Sequence, residues 1–126
     1  MNRLESMRLI GATSAGGAAT IAGEAPVLGL LYAVEWVDGD LVDGVDAVLS
    51  VTLTESAVNQ TLLTLTDANS DAWYYPRALV HDAAGAALTG TAGGDRCLPV
   101  INGVLSLTIA SGGATKTGGA IVYYYE

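Results

Sequence analysis

Polar and hydrophobic residues alternate along much of the chain from residue 25 onward. Successive side chains of a β-strand point to opposite faces of a sheet, so a period of two predicts strands. We find no helical periodicity of useful length in the sequence. The predicted strands are Val27–Val37, Ala47–Thr54, Gln60–Thr66, Ala72–Val80, a weak one at Ala86–Thr89, Arg96–Ile101, Val104–Ala110 and Ala120–Tyr125.

Three local signals refine this prediction. Both alternating sets of positions in Val27–Val37 are apolar, which predicts a strand that is covered on both faces. Asn102-Gly103 lies between two apolar runs and favours a type I′ turn, so we expect the flanking strands to form an antiparallel hairpin. Pro76 cannot donate a hydrogen bond to a neighbouring strand, and it therefore predicts a sheet edge or a bulge.

Seven or eight short strands with a turn about every ten residues are typical of an all-β fold. We predict a single antiparallel β-sandwich or barrel over residues 23–126. Residues 1–22 have a different character, because a polar segment with scattered Leu and Met is followed by a run rich in Gly, Ala, Ser and Thr. This composition predicts an extended N-terminal arm, which is either a disordered terminus or a segment ordered only against a partner.

Composition excludes several classes of protein. The chain has 126 residues, of which 51% are hydrophobic and 14% are charged, so disorder of the whole chain is not expected. The longest apolar stretch, Val27–Val34, is far shorter than the roughly 20 residues that span a bilayer, so we expect no membrane insertion. Thirteen acidic residues against five basic ones give a net charge of -8, which argues against binding nucleic acid through phosphates.

Catalytic chemistry has few candidate residues. The chain has one histidine, His81, and one cysteine, Cys97, and no local motif joins them as a nucleophile and a base. We therefore expect no enzymatic activity and no cofactor.

The loop that follows the first predicted strand is acidic, and carboxylate oxygens are the ligands that Ca²⁺ prefers. The spacing does not match an EF-hand, because the sixth and twelfth positions would be Asp43 and Leu49 instead of Gly and Glu. The loop is therefore a weak calcium candidate, and the alternative is a solvated connection that discourages edge-to-edge aggregation. The four candidate ligands are Asp38, Asp40, Asp43 and Asp46.

Two aromatic clusters, Trp73-Tyr74-Tyr75 and Tyr123-Tyr124-Tyr125, occur in a chain with few other aromatic residues. Consecutive residues of a strand point to both faces, so some of these rings either face outward or are buried between two layers. Outward tyrosines can anchor a protein interface or stack on sugars. The candidates for oligomer or surface contacts are Trp73, Tyr74, Tyr75, Arg77, Tyr123 and Tyr125.

Four segments together resemble small β-rich virion structural proteins of tailed bacteriophages, from roughly residue 20 to the end. Proteins of this kind are found with the head-assembly proteins, and some decorate the capsid. The resemblance is one of pattern and segment order. The segments are Leu31–Asp46 (LYAVEWVDGDLVDGVD), Ala72–Leu79 (AWYYPRAL), Pro99–Leu107 (PVINGVLSL) and Gly112–Tyr125 (GGATKTGGAIVYYY).

The resemblance implies a capsid decoration (cement) protein that binds the outer surface of the icosahedral head and stabilises it. It implies the major capsid protein as partner, a homo-oligomer with a trimer favoured, and a place on the capsid exterior after synthesis in the bacterial host cytoplasm. An arm can reach a neighbouring subunit and pair with a sheet edge, so we expect it to contact the capsid. The arm residues expected there are Arg3, Leu4, Met7, Arg8, Leu9 and Ile10.

Two alternatives remain at the level of the sequence. One is another virion component, such as a tail, neck or fibre-associated β protein. The other is a carbohydrate-binding module that uses Trp73, Tyr74 and Tyr75 as a stacking platform.

Overall fold

The computed structural model describes residues 3–52, 59–88 and 96–126. These residues form ten strands and no helix, which confirms the predicted all-β class. The predicted residues 53–54 and Thr89 lie outside the described residues. The strands are β1 (Leu4–Ala12), β2 (Ala19–Ala22), β3 (Val27–Val37), β4 (Asp46–Thr52), β5 (Gln60–Leu65), β6 (Ala72–Tyr74), β7 (Ala78–Leu79), β8 (Arg96–Cys97), β9 (Val100–Ala110) and β10 (Thr117–Tyr125).

Eight strands form one antiparallel sheet that folds over on itself as two layers. Its strand order is β1-β10-β3-β9-β4-β5. Strand β6 pairs with β3 in the first layer, and β2 pairs with β9 in the second. Strands β7 and β8 pair separately as a small second sheet. The predicted strand Ala72–Val80 is thus divided into β6 and β7, with Pro76 in the segment between them.

Strand β9 belongs to both layers. Its first residues, Val100–Gly103, pair with β3, and the rest, Val104–Ala110, pair with β4. The backbone changes layer at Gly103, whose φ of 141° is a conformation that favours glycine. The predicted Asn102-Gly103 hairpin is therefore wrong, because the glycine serves a corner between two layers, where such sheets bend.

Alternate residues of both layers point inward and form one hydrophobic core. Trp36 at its centre is fully buried, and its indole Nε1 donates a hydrogen bond to the Ala68 carbonyl oxygen at 3.0 Å. The largest buried side chains include Leu9, Leu31, Val34, Trp36, Val45, Leu49, Val51, Ile101, Leu105, Leu107, Ile109 and Val122.

The N-terminal segment is part of the sheet, which differs from the predicted arm. Strand β1 pairs with β10 over nine residues, from Leu4 opposite Tyr125 to Ala12 opposite Thr117. The Gly- and Ser-rich stretch after β1 is also anchored, because the Gly112 amide donates to the Gly17 carbonyl oxygen at 2.9 Å. The inward positions of β1 are Glu5, Met7, Leu9 and Gly11, and only Met7 and Leu9 are large and apolar, so the period of two is weak in this segment.

Strand β3 contains a β-bulge at Tyr32. Leu31 lies opposite Tyr124 and Ala33 lies opposite Tyr123, so Tyr32 is an extra residue without a partner on β10. An extra residue inverts the alternation of side chains along a strand. Side chains at odd-numbered positions therefore point to the core before the bulge, and side chains at even-numbered positions point to it afterwards.

The inversion decides which side chains of β3 are buried. Val27 points to the core before the bulge, and Val34 points to it afterwards. The prediction of a strand covered on both faces fails before the bulge, where Leu28 is 69% exposed, and holds better after it, where Ala33 is buried too.

Candidate protein-interaction face

The outward side of the first layer carries rows of side chains that cross several strands. Residues directly opposite each other on paired strands share one face of a sheet. Leu4 lies opposite Tyr125, Tyr125 opposite Leu30, and Leu30 opposite Val100, so this row crosses β1, β10, β3 and β9.

A second row lies closer to the other end of these strands. Arg8 on β1 lies opposite Ile121 on β10, Ile121 opposite Glu35 on β3, and Glu35 opposite Trp73 on β6. We call the surface formed by both rows and their neighbours the aromatic face. It consists of Leu4, Ser6, Arg8, Leu28, Leu30, Tyr32, Ala33, Glu35, Trp73, Tyr75, Arg77, Val100, Ile121, Tyr123 and Tyr125.

The bulge places Tyr32 at the centre of an aromatic cluster. Its ring meets those of Tyr75 and Tyr125 edge to face, with centroids 6.1 Å and 5.4 Å apart. Trp73 and Tyr123 pack together at 5.3 Å between centroids. Edge-to-face pairs are a favourable arrangement of aromatic rings, so the rings hold one another in place on an exposed surface.

Exposed apolar side chains are concentrated on this face. Of the nine large hydrophobic residues that are exposed among the described residues, seven belong to it. The exposed fraction is 52% for Trp73 and 55% for both Tyr75 and Val100. Together they present on the order of several hundred Å², the size of patch that marks an interaction site. The seven are Leu4, Leu28, Leu30, Tyr32, Trp73, Tyr75 and Val100.

Few charges interrupt the aromatic face. The Tyr123 hydroxyl donates a hydrogen bond to Oε1 of Glu35 at 3.0 Å. This hydrogen bond, with burial and the negative charge of Glu35, raises the pKa of the Tyr123 phenol. Arg77 donates from Nη1 to the carbonyl oxygen of Tyr32 at 2.9 Å and lies 5.7 Å from its ring centroid, so it braces the aromatic cluster. Arg8 is exposed.

The residues that were predicted to contact a capsid differ in their exposure to solvent. Leu9 is fully buried and Met7 packs against the core, so the prediction of a surface contact is wrong for Leu9. Leu4 and Arg8 lie on the aromatic face, and Ile10 is half-buried. Arg3 is exposed and forms an ion pair with Glu5.

The aromatic candidates also separate by face. Trp73, Tyr75, Tyr123 and Tyr125 belong to the aromatic face, whereas Tyr74 packs against the core. Sequence reasoning missed four exposed members of this face. No sequence signal marked the bulge that turns three of them outward, and the fourth was assigned to a hairpin. They are Leu28, Leu30, Tyr32 and Val100.

The carboxylates of the acidic loop hold backbone amides. Oδ1 of Asp46 accepts a hydrogen bond from the Asp67 amide at 3.0 Å, and a carboxylate oxygen of Asp40 accepts one from the Thr117 amide. Asp43 is exposed. Within the described ranges, no group of three or more His, Cys, Asp or Glu residues is placed to hold a metal ion. Two of the four candidate ligands, Asp40 and Asp46, thus hold backbone amides, whereas the buried Oδ1 atom of Asp38 has no hydrogen-bond partner.

His81 and Cys97 lie near the small second sheet. His81 is exposed and forms an isolated β-bridge with Ala87. The exposed Cys97 thiol donates to the Ala78 carbonyl oxygen at 3.6 Å. Cys97 is thus a residue of β8 in the small second sheet, and His81 follows β7 in an isolated bridge.

Comparisons with known proteins add one structural similarity. The sequence matches no protein-family model and no curated protein. Among solved structures, the crystal structure of FLHE is similar, with 14% sequence identity, 96% of each chain covered and a TM-score of 0.41. No helix in the described part of the chain is long and apolar enough to cross a membrane.

Proposed function

We propose that this chain is a virion structural protein of a tailed bacteriophage that decorates the outer surface of the capsid and stabilises it. It acts as a homo-oligomer and transforms no substrate. Two arguments support the proposal. The sequence resembles small β-rich virion proteins in the order of its segments, and its structure has a surface suited to binding protein.

The aromatic face is the observation that carries the proposal. A protein that works alone in water rarely leaves so many large apolar side chains exposed on one surface, because their burial is worth about 25 cal/mol per Å². Aromatic residues and arginine are enriched at protein interfaces, and both occur here. The aromatic face therefore fits a protein that functions with this surface covered by another protein.

The rest of the fold suits a structural role. The Trp36 indole and the shared strand β9 tie both layers to one core. A stiff body loses little conformational entropy when it binds. Many copies on one shell can therefore hold it together even if each contact is modest.

The proposal is tested on particles of the phage that encodes the chain. We expect cryo-electron microscopy to place the protein on the head exterior at a repeated position. We expect Trp73→Ala with Tyr75→Ala to reduce its occupancy on the particles. Leu88→Ala is the control, because Leu88 is exposed but lies outside the aromatic face. Density on the tail, or particles that lack the protein altogether, would refute capsid decoration.

Carbohydrate binding is the second candidate, since the exposed Trp73 and Tyr75 rings could stack on sugars. Affinity electrophoresis through polysaccharide gels separates the two functions. Retardation of the wild-type chain that is lost in Trp73→Ala would favour the sugar-binding module. We expect unretarded migration of both proteins.

A further inference from the structure

We propose that a second copy of this chain covers the part of the aromatic face that lies on β1, β10 and β3, and leaves Trp73 on β6 uncovered. The two copies form a symmetric dimer whose twofold axis runs parallel to β10, in the plane between the two outward faces. This inference goes beyond the proposed function, because it identifies the partner and the geometry of one interface.

The first cross-strand row fits this symmetry. Neighbouring strands lie about 4.8 Å apart, so β1 and β3 flank β10 at equal distances. A twofold axis above β10 exchanges the two flanks and leaves positions along the strand unchanged. It therefore places Leu4 of one copy over Leu30 of the other, with the two Tyr125 residues facing each other in the middle.

The second row adds charge complementarity. Arg8 and Glu35 flank Ile121 on β1 and β3. The same axis places Arg8 of each copy over Glu35 of the other, and symmetry makes two such pairs. A dimer with its axis over β10 thus pairs unlike charges. In a dimer in which one copy is shifted sideways by the width of one strand, neither Arg8–Glu35 pair would form. Charge pairs of this kind fix the register of an interface.

Glu35 can accept a guanidinium while it keeps its existing partner. Its Oε1 atom accepts one hydrogen bond, from the Tyr123 hydroxyl. An ionised carboxylate offers about four acceptor sites, so the remaining ones can receive Arg8 of the second copy. The Tyr123 hydroxyl also orients the carboxylate before the partner arrives, which reduces the entropy lost on association.

The distribution of the other charges allows two copies to meet at this face. The chain carries a net charge of -8, yet Glu35 is the one carboxylate in the two cross-strand rows. The acidic loops are linked to one another at the far end of β3, where the Asp38 amide donates to Asp71 Oδ1 at 2.8 Å. The acidic loops of both copies therefore lie beyond the overlap, at the same end of the dimer.

The axis over β10 superimposes β1, β10 and β3 of the two copies. The centre of this overlap is apolar and includes Leu4, Leu30 and Tyr125. Trp73 on β6 and Val100 on β9 lie beyond β3, outside the overlap. Arg8 lies on β1, the edge strand of the layer, where a rim charge belongs.

Sedimentation equilibrium of the purified full chain tests the inference. We expect a concentration-dependent mass that approaches twice the 12.8 kDa of the chain. Arg8→Glu should raise the dissociation constant about tenfold or more, because it places two carboxylates opposite each other in both pairs. Lys116→Glu is the matched control, since it changes the net charge equally but lies in the loop before β10. We expect that control to change the dissociation constant less than about twofold.

A mixing experiment tests the pairing itself. Glu35→Lys alone should also weaken the dimer, whereas an equimolar mixture of Arg8→Glu and Glu35→Lys should form a heterodimer with both ion pairs restored. Circular dichroism establishes that each variant is folded. If Glu35→Lys does not fold, the comparison of Arg8→Glu with Lys116→Glu decides the question.

Several outcomes overturn the inference. A chain that stays monomeric, or one that forms a trimer, rules out the twofold dimer. Equal effects of Arg8→Glu and Lys116→Glu rule out this register. None of these results changes whether the chain is found on the head exterior, so capsid decoration and this inference fail separately. A chain that stays monomeric would also refute the homo-oligomer of the proposed function, whereas a trimer would not.

Discussion

Trp36 shows how a single residue connects the core with a loop. Its ring is fully buried in β3, and its Nε1 atom holds the carbonyl oxygen of Ala68 at 3.0 Å. The amide of Ala68 in turn donates to the Val45 carbonyl oxygen at 2.8 Å. One indole thus fixes the loop between β5 and β6 against the segment that enters β4.

Trp36→Phe should lower the free energy of unfolding by about 2 kcal/mol, because it leaves a small cavity and removes the partner of a buried carbonyl. Urea denaturation followed by circular dichroism measures the change. Trp73→Phe is the matched control, since Trp73 is 52% exposed, and its effect should stay within about 0.5 kcal/mol. Equal losses at both positions would contradict the assigned role of Trp36.

At the scale of elements, β1 is the strand whose role differs most from the expectation for residues 1–22. Leu9 and Leu4 are the same residue type on one strand, but Leu9 is fully buried and Leu4 is 49% exposed. A buried Leu9 on the same strand as an exposed Leu4 is expected if residues 4–12 are a strand of the fold, and is not expected for an independent arm.

Leu9→Ala should cost about 2 to 4 kcal/mol of stability, because it leaves a cavity in the core. Leu4→Ala should cost less than about 1 kcal/mol in the monomer. Thermal melting at low protein concentration measures both. Similar small losses for the two variants would mean that the segment does not contribute to the core.

Asn102 tests whether β9 is continuous. A type I′ turn depends on Asn before Gly, whereas an exposed strand position accepts Thr well. Asn102→Thr should therefore change the unfolding free energy by less than about 0.5 kcal/mol. A much larger loss, seen in urea titrations, would favour the hairpin.

Elements with a clear period of two were predictable from the sequence. Strand β3 has the predicted bounds Val27–Val37, and β5 differs from its prediction by one residue at its end. Local patterns failed where tertiary structure decides the outcome. The dipeptide Asn102-Gly103 suits both a hairpin turn and a corner between two layers. Only the pairing of β9 with β3 and β4 distinguishes the two structures.

The candidate site was predictable only in part, for a related reason. Trp73, Tyr75, Tyr123 and Tyr125 were identified because consecutive aromatics must include outward ones. The exposed Leu28 was not, because the inversion at Tyr32 depends on how β10 pairs with β3. A bulge is a property of two strands, so one strand's pattern does not reveal it.

At the scale of the whole molecule, a group of carboxylates lies at one end of β3, apart from the aromatic face. The loops around Asp38 and Asp71 gather carboxylates at one end. Burial and the nearby charges of Asp71 and Asp43 raise the pKa of Asp38 above its ordinary value of 3.8. Its Oδ1 atom is buried without a hydrogen-bond partner, so the ionised form is the unfavourable one.

The pH dependence of stability follows from this raised pKa. Below pH 3.8 Asp38 is neutral in both states, and as the pH rises through its folded-state pKa the unfolded chain ionises more readily and stability is lost. Asp38→Asn should remove this loss, so the variant should gain stability over the wild type at pH 7 and not at pH 3. Melting curves across this range test it, with the exposed Glu24→Gln as control. A constant difference at every pH would contradict the assignment.

A strand shared by two layers also determines how the protein unfolds. Neither layer can separate without breaking the ladder of β9, since its two halves are continuous in the backbone. Amide protons in β3 and β4 should therefore exchange with solvent only through global opening, as one cooperative unit. Because β9 is one continuous backbone segment shared by both layers, the protein should resist partial unfolding under mechanical force.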